Sequence, residues 1–342
     1  MTRVLVINDA AQESSTGHLF EALAAALRSR GHAAEVVHVA SASSGKGRAA
    51  RLLPPSRDLR RAIRQADVLV LHTSVVFNAW DILIARATGT RIGVIYWDSY
   101  PESFNAVERR TSGPVDRIFG AAERFLLRRS DVILPPSEDY LPHLARLFPR
   151  SRVRVLPMWP FTPVTASATE ARQRDRVEIG FAGAVNAIRG LDHAAAVLGS
   201  ASRAPVALHT YGSDAPELGL PESGAHVTHV HHGFIPQDRI MARLATHDFG
   251  LVSLHPAFGL PAFPSKTLSY LCAGLPILYV GPRLDHYERI LAETGIGTTL
   301  HEGDRTDLGQ VAADLRADMP EAQARALDLF GLNEARLADI LQ

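Results

Sequence analysis

Short apolar runs alternate with longer segments of helical spacing along the whole chain. Val4–Asn8 opens the pattern, and Leu19 to Arg30 follows with apolar residues at Leu19, Leu23, Ala26 and Leu27, closed by Gly31. Glu35–Val39, Asp67–His72 and Arg91–Trp97 come next. The last two are continuous apolar runs, as expected of strands covered on both faces in a parallel sheet. A helix over Ala121–Arg129, a strand at Val132–Leu134 and a helix over 138–147 capped by Ser137 complete this half.

Around 157–176 Pro, Thr, Ala and charged residues crowd together, a linker composition. The pattern predicts a first domain over 1–160, a linker at 161–176 and a second domain over 177–319. The second half restarts at Val177–Phe181, with strands at Val206–Tyr211, Val227–His231, Phe249–Ser253 and Ile277–Val280 and helical segments between them. The fold class is α/β: two Rossmann-like units with mostly parallel sheets, whose ligands belong at the carboxyl ends of strands and in the cleft between domains. The final stretch, about 320–342, is amphipathic and is able to pack on either domain.

Composition narrows the function classes. The 342 residues are 46% apolar, and none of the apolar runs reaches the roughly 18–20 residues of a membrane span. The opening MTRVLVINDAA reads as a strand rather than a secretory signal, which predicts a cytoplasmic protein. The single cysteine, Cys272, excludes an intrachain disulfide and a cysteine-built zinc site, and its apolar surroundings make it a core residue. Net charge is zero, yet residues 1–160 carry 22 Lys+Arg against 15 Asp+Glu, and residues 161–342 carry 14 against 21. The basic first half favours an anionic partner such as a phospholipid surface, with two ordinary solvated surfaces as the plain alternative. Arg48, Arg51, Arg57, Arg60, Arg61 and Arg64 lack aromatic neighbours on which bases could stack, so nucleic acid is not an expected partner.

Three places carry candidate chemistry. In FPSKTLSYLCAGLP (263–276), Pro264 and Ser265 start a helix, and Gly274 and Pro276 end it. Lys266 stands in the first turn, where the helix dipole disfavours a cation unless a phosphate binds there. It is one of only two lysines, with Lys46, among 34 arginines. In FAGAVNAIRGLDHA (181–194), Gly183 allows close backbone approach to a ligand, and Arg189 supplies a planar fork for phosphate. In VIYWDSYPESF (94–104), Asp98 stands at the end of a strand, where a carboxylate orients hydroxyls or acts as a base. His226, His229, His231 and His232 suggest a metal cluster, but neither a nearby carboxylate nor a DxD pair supports one, and no metal is expected. GxSxG and HExxH are absent as well, which weakens hydrolase and metalloprotease readings.

Taken in order, TGHLFEALAAALRSRGH, YWDSYPES, AAERFLLRRSDVILPPSEDY, VRVLPMWPF, FAGAVNAIRGLD, HTYGSDAPELG, HVHHGFIPQDRIMARLATHDFGLVSL and PSKTLSYLCAGLPIL resemble the family 4 glycosyltransferases of the GT-B fold. The likeness is to the subgroup that builds surface polysaccharides. It implies that the second domain holds the nucleotide diphosphate of an activated sugar and the first holds a glycan, lipid-linked or small-molecule acceptor. It further implies retention of anomeric configuration, no divalent metal, and a final helix that crosses back to the first domain. The basic first half tilts the expectation towards a lipid-linked or membrane-adjacent acceptor, and hence towards a cytoplasmic protein peripheral to the inner face of the membrane.

Carried over by position, Gly17 falls in the glycine loop facing the reaction centre, Asp98 at the acidic position, and Arg189 and Lys266 at the diphosphate. Tyr211, Gly212, Phe234 and Ile235 fall in loops that line the nucleobase, and Gly183 and Ser265 beside the phosphates. The family's paired glutamates, eight positions apart, would fall on Pro261 and Ser269. Ser269 offers the ribose a weaker neutral hydrogen bond, and Pro261 offers the sugar none. Ala184 replaces a frequent arginine, and Pro157-Met158-Trp159 replaces the usual PNG-type ending. The lead expectation is a metal-independent glycosyltransferase. The alternatives are a non-catalytic partner subunit of another transferase, which the lost glutamates motivate, and an enzyme acting on the sugar nucleotide itself.

Overall fold

The computed structural model describes residues 1–9, 12, 14–39, 52–98, 107, 113–148, 152–160, 175–212, 215, 218 and 226–341. Lys46, Arg48, Arg51, the turn at Pro101 and most of the 161–176 linker lie outside them.

The first sheet is built from β1 (Arg3–Asn8), β2 (Ala33–His38), β3 (Val68–His72), β4 (Arg91–Ile95), β5 (Val132–Leu134) and β6 (Arg152–Val153). All its pairings are parallel, in the order β2-β1-β3-β4-β5-β6. Its helices are α1 (Ser15–Ser29), α2 (Arg57–Gln65), α3 (Ala79–Thr88), α4 (Pro114–Leu127) and α5 (Leu141–Leu147). Leu59, Ile63, Ile82, Ala85, Leu126 and Leu127 share one buried cluster, so α2, α3 and α4 cover the same face of the sheet.

The second sheet joins β7 (Val177–Ala182), β8 (Val206–Tyr211), β9 (Val227–His231), β10 (Phe249–Ser253), β11 (Ile277–Val280) and β12 (Gly297–Leu300). It is also parallel, in the order β12-β11-β10-β7-β8-β9. Helices α6 (Leu191–Ala201), α7 (Gln237–Leu244), α8 (Lys266–Cys272), α9 (Asp285–Thr294), α10 (Leu308–Ala317) and α11 (Met319–Phe330) belong to this half. The order changes sense beside β7 in one sheet and beside β1 in the other. Ligands of such sheets sit at that switch point, outside the carboxyl ends of the strands. The two sheets face each other there across a cleft of about 620 Å³.

After α11 the chain leaves the second domain, and α12 (Glu334–Leu341) packs on the first. Gln323 Nε2 donates to Leu271 O at 2.7 Å within the second domain. Arg30 Nη2 then donates to Leu332 O at 3.0 Å, and Arg91 Nη1 to Leu341 O at 2.9 Å, both from the first. Leu337 and Ile340 are buried in a cluster that contains Val4 and Phe20 of one domain and Tyr270 and Phe330 of the other.

Local details correct the sequence reading. Helix α1 begins at Ser15 rather than Leu19, because Ser14 caps it by accepting from Gly17 N at 3.0 Å. The polar Ser-Thr-Gly-His lead hides this start from a search for apolar spacing. Residues 138–147 are a 3₁₀ turn, Glu138–Tyr140, followed by α5, and Ser137 makes no side-chain cap. Pro142 has no N–H to give Glu138 O, so regular α-helix starts only at Leu141. Strand β4 ends at Ile95, leaving Trp97 and Asp98 just beyond it in the cleft wall. Cys272 is buried, as expected.

Candidate active site

On the second-domain side, β7 delivers Gly183 to the cleft, its N–H donating to Tyr211 O at 2.8 Å. Gly183 has φ +130°, and an ideal Cβ there would stand 2.4 Å from Lys266 Nζ. Only glycine admits the lysine to this position. The ammonium also lies 4.9 Å from the centre of the Phe181 ring, a cation–π contact. Burial, and then the charge of Arg189, push the Lys266 amine down to about 7.

Arg189 is held by a 3₁₀ turn, Ala187–Arg189, that Gly190 closes. Its Nε is buried without a hydrogen-bond partner. Burial lowers its pKa, and the charge of Asp98 opposes the shift. Among the described residues, neither Arg189 nor Lys266 forms an ion pair with a carboxylate. Two cations therefore meet in a walled space with uncompensated charge, which an anion would relieve.

The sequence reading credits the helix N-terminus with much of this attraction, and the structure corrects that. Helix α8 is only seven residues long, so the local positive charge comes mainly from the two side chains. Ser265 is exposed, occupies the N-cap position without a side-chain cap bond, and lines the cleft together with half-buried Ser269 and Pro261.

The first domain supplies Asp98, whose N–H donates to Thr73 Oγ1 at 3.1 Å. Asp98 is exposed to the cleft, and desolvation by the surrounding walls raises its pKa, with the charges of Arg189 and His72 opposing the rise. Behind it stands buried His72, with Nδ1 at 2.9 Å from Thr73 O and Nε2 against Asp9. Burial lowers the His72 pKa, but the hydrogen bond and charge of Asp9 outweigh it and leave a net rise. Phe20, His72 and Trp97 pack ring to ring at 5.3–5.8 Å, and Tyr140 donates its hydroxyl to Trp97 O at 2.8 Å. Sequence reasoning missed Trp97, Tyr140 and Tyr270, all of which line the cleft.

The structure brings Asp98, Gly183, Arg189, Tyr211, Gly212, Phe234, Ile235, Ser265, Lys266 and Ser269 to one cleft. Gly17 is not among its walls. It sits in the first turn of α1, and its neighbour Thr16 faces the cleft instead. Tyr211 is buried and stacks on His232 with ring centres 4.7 Å apart, whereas Phe234 is 75% exposed at the cleft edge.

Among the described residues none of His226, His229, His231 and His232 belongs to a group with metal-ligand geometry, but a different one forms nearby. Glu178 on β7 hydrogen-bonds His209 Nε2 on β8, and His209 Nδ1 lies 2.8 Å from His232 Nε2. Glu178, His209 and His247 offer ligand atoms within 4.8 Å of one another, a buried group able to hold a metal. The signal was out of reach because Glu178 and His209 are 31 residues apart and meet only through the parallel β7–β8 pairing. Each member already has a protein partner: Arg176 Nε donates to Glu178 Oε1 at 2.9 Å, and His247 Nε2 lies 2.7 Å from the Tyr211 hydroxyl. Burial, and then the charge of His209, hold His247 down at about 3, a neutral ring. Burial opposes charge on Glu178, yet hydrogen bonds from Arg176 and His209 keep its carboxyl below the ordinary value. His229 Nε2 and His231 Nδ1 both reach Thr210 Oγ1, at 2.8 and 3.0 Å.

This architecture is shared with solved structures along nearly their whole lengths. Sucrose-phosphate synthase from Thermosynechococcus elongatus superposes with a TM-score of 0.60 at 14% identity, covering 99% of this chain and 97% of that one. The apo lipopolysaccharide outer core galactosyltransferase WaaB gives 0.58 at 11% identity, covering 98% and 97%. The fold is GT-B. An alpha-glucosyltransferase solved with UDP and a 13-mer DNA gives 0.50 at 12% identity, covering 99% and 93%. Residues 16–159, most of the first GT-B domain, match the family model of the glycosyl transferase 4-like domain. The family match covers the first domain only, and the solved structures share the fold of both. No curated protein matches the chain by sequence.

Proposed function

We propose that this GT-B protein transfers a sugar from a nucleotide-diphosphate donor to an acceptor hydroxyl, without a metal and with retention of configuration. The observation that carries the reading is the pair of half-buried cations, Lys266 and Arg189, which line the cleft with Asp98 and form no ion pair with a carboxylate among the described residues. As the bond between the anomeric carbon and the diphosphate oxygen breaks, negative charge grows on the leaving diphosphate. Fixed cations in a walled site stabilise that charge without reorganising. The acceptor oxygen forms the new bond and its proton passes to the departing diphosphate oxygen, while Asp98 orients the acceptor hydroxyl or one of the donor's. The acceptor is a glycan, lipid-linked or small-molecule hydroxyl held by the first domain, in keeping with assembly of surface polysaccharide.

Stability under a panel of nucleoside diphosphates and sugar nucleotides tests this, since a ligand selective for the folded state raises its melting temperature. A shift with one base, equal with and without magnesium and lost in Lys266→Ala, is the expected result. Absence of any shift would overturn the reading. Ligand binding without turnover on any acceptor would favour the partner-subunit alternative, which Pro261 and Ser269 in the cleft motivate.

A further inference from the structure

The two cations limit where the sugar of a bound donor can lie. Lys266 and Arg189 line the cleft from the second domain and Asp98 from the first. A donor sugar hangs directly on the diphosphate and must offer its anomeric carbon to an acceptor beside Asp98. It therefore lies against the wall that leads into Lys266.

That wall is apolar. Phe258, Leu260, Pro261, Ala262, Phe263 and Pro264 all line the cleft. Phe258 and Phe263 are 7% exposed and form its floor, whereas Leu260, Pro261 and Ala262 are half-buried and form its surface. None of these side chains has a hydrogen-bonding group, and the two prolines have no N–H. The wall is also fixed in place. Phe263 packs edge to face on Tyr287 at 5.6 Å and on Phe330 at 5.5 Å. His255 N donates to Ile188 O and Phe258 N to His255 O, each at 2.8 Å, so the turn that carries Arg189 and the wall form one unit. The cleft's tyrosines add little polarity, because their hydroxyls are engaged elsewhere. Tyr140 donates to Trp97 O at 2.8 Å, Tyr270 donates to Leu251 O at 3.1 Å, and the Tyr211 hydroxyl lies 2.7 Å from His247 Nε2.

A sugar hydroxyl pressed on this wall gives up water without gaining a partner, whereas a methyl group there gains apolar burial. We propose that the donor sugar is a 6-deoxyhexose whose methyl group lies on Leu260, Pro261 and Ala262. Its ring hydroxyls remain free for Asp98 and for exposed Asn186 and Ser265, which also line the cleft. An acetamido sugar fits less well, since its amide would bring both a donor and an acceptor to a wall that pairs neither. The inference rests on the transfer reading and names the sugar for it.

Calorimetric titration with donors matched in base tests it: UDP-glucose against UDP-6-deoxyglucose, dTDP-glucose against dTDP-6-deoxyglucose, and GDP-mannose against GDP-6-deoxymannose. For the base that binds, the deoxy member should bind about tenfold tighter or more. Pro261→Gln should bring that ratio below about threefold, and Ala262→Ser, which barely alters the backbone, should reduce it by about half. Affinity for the bare nucleoside diphosphate should change by less than about twofold in both variants, because the diphosphate is assigned to Lys266 and Arg189. A hydroxylated donor that binds as tightly as its deoxy counterpart, while the nucleoside diphosphate still binds, would overturn this inference and leave the transfer reading standing. So would a 2-acetamido donor of the same base that binds more tightly than the deoxy one, or a preference that survives both variants. Failure of every nucleoside diphosphate to bind would remove both readings.

Discussion

Lys266 Nζ occupies the space a side chain on residue 183 would need, 2.4 Å from the ideal Cβ position of Gly183. The glycine and the lysine, 83 residues apart, are therefore one device. Gly183→Ala should displace the ammonium and weaken nucleoside diphosphate binding by about tenfold or more, a loss of roughly 1.4 kcal/mol. Calorimetric titration reads it. Unchanged affinity would place the diphosphate elsewhere.

The depressed Lys266 amine gives binding a pH signature. Free Lys266 titrates near 7, and a bound diphosphate raises that value by favouring the charged form. Below 7 the lysine is already protonated, so binding takes up no proton there. Above 7, binding requires uptake of close to one proton, and affinity should fall by up to about tenfold per pH unit until the bound-state pKa is reached. Titrations at pH 8.5 in buffers of different ionisation enthalpy measure the uptake directly.

The same shift opposes folding. A lysine whose folded pKa lies below its unfolded value costs stability as pH falls from about 10.5 towards 7, where the unfolded chain holds the proton more tightly. Lys266→Met should raise the melting temperature of the ligand-free protein at pH 7 by about 2 °C or more, and abolish the shift produced by nucleoside diphosphate. A variant less stable than the parent would show that the ammonium is compensated in the free protein.

Asp98 makes a separable contribution. Asp98→Asn should lower turnover by about 100-fold while keeping the thermal shift with nucleoside diphosphate, because the proposal assigns the phosphates to the opposite wall. Equal loss of binding and turnover would move Asp98 into donor binding.

The buried Glu178–His209 pair is expected to be structural. Chelators should leave both stability and sugar transfer unchanged. Glu178→Gln, which weakens two charge-assisted hydrogen bonds, should cost about 1.5–3 kcal/mol in denaturant unfolding. A drop in stability on chelation, restored by zinc, would instead make Glu178, His209 and His247 a metal site.

Strands were legible in the sequence where burial on both faces forces an apolar run, and β10 and β11 fall where that pattern places them, whereas β9, exposed at alternate positions, was legible from its β-branched residues. That Lys266, Arg189, Gly183 and Asp98 share one cleft was legible because each stands at a strand or helix end, and such ends converge in a doubly wound fold. Glu178 was not, since an acid within an apolar strand gains its meaning only from the histidine on the next strand. Gly17 was carried over by position from the resemblance, but the serine cap turns it into the first turn of α1 and leaves Thr16 at the cleft.

Helix α12 buries Leu337 and Ile340 against the first domain after the chain has passed through the second. On the ribosome, β1 to β6 therefore emerge long before the segment that covers them. The first domain waits, with one flank open, until the second has been made. A nascent chain halted before residue 334 should consequently be protease-sensitive in its first domain even when the second is complete.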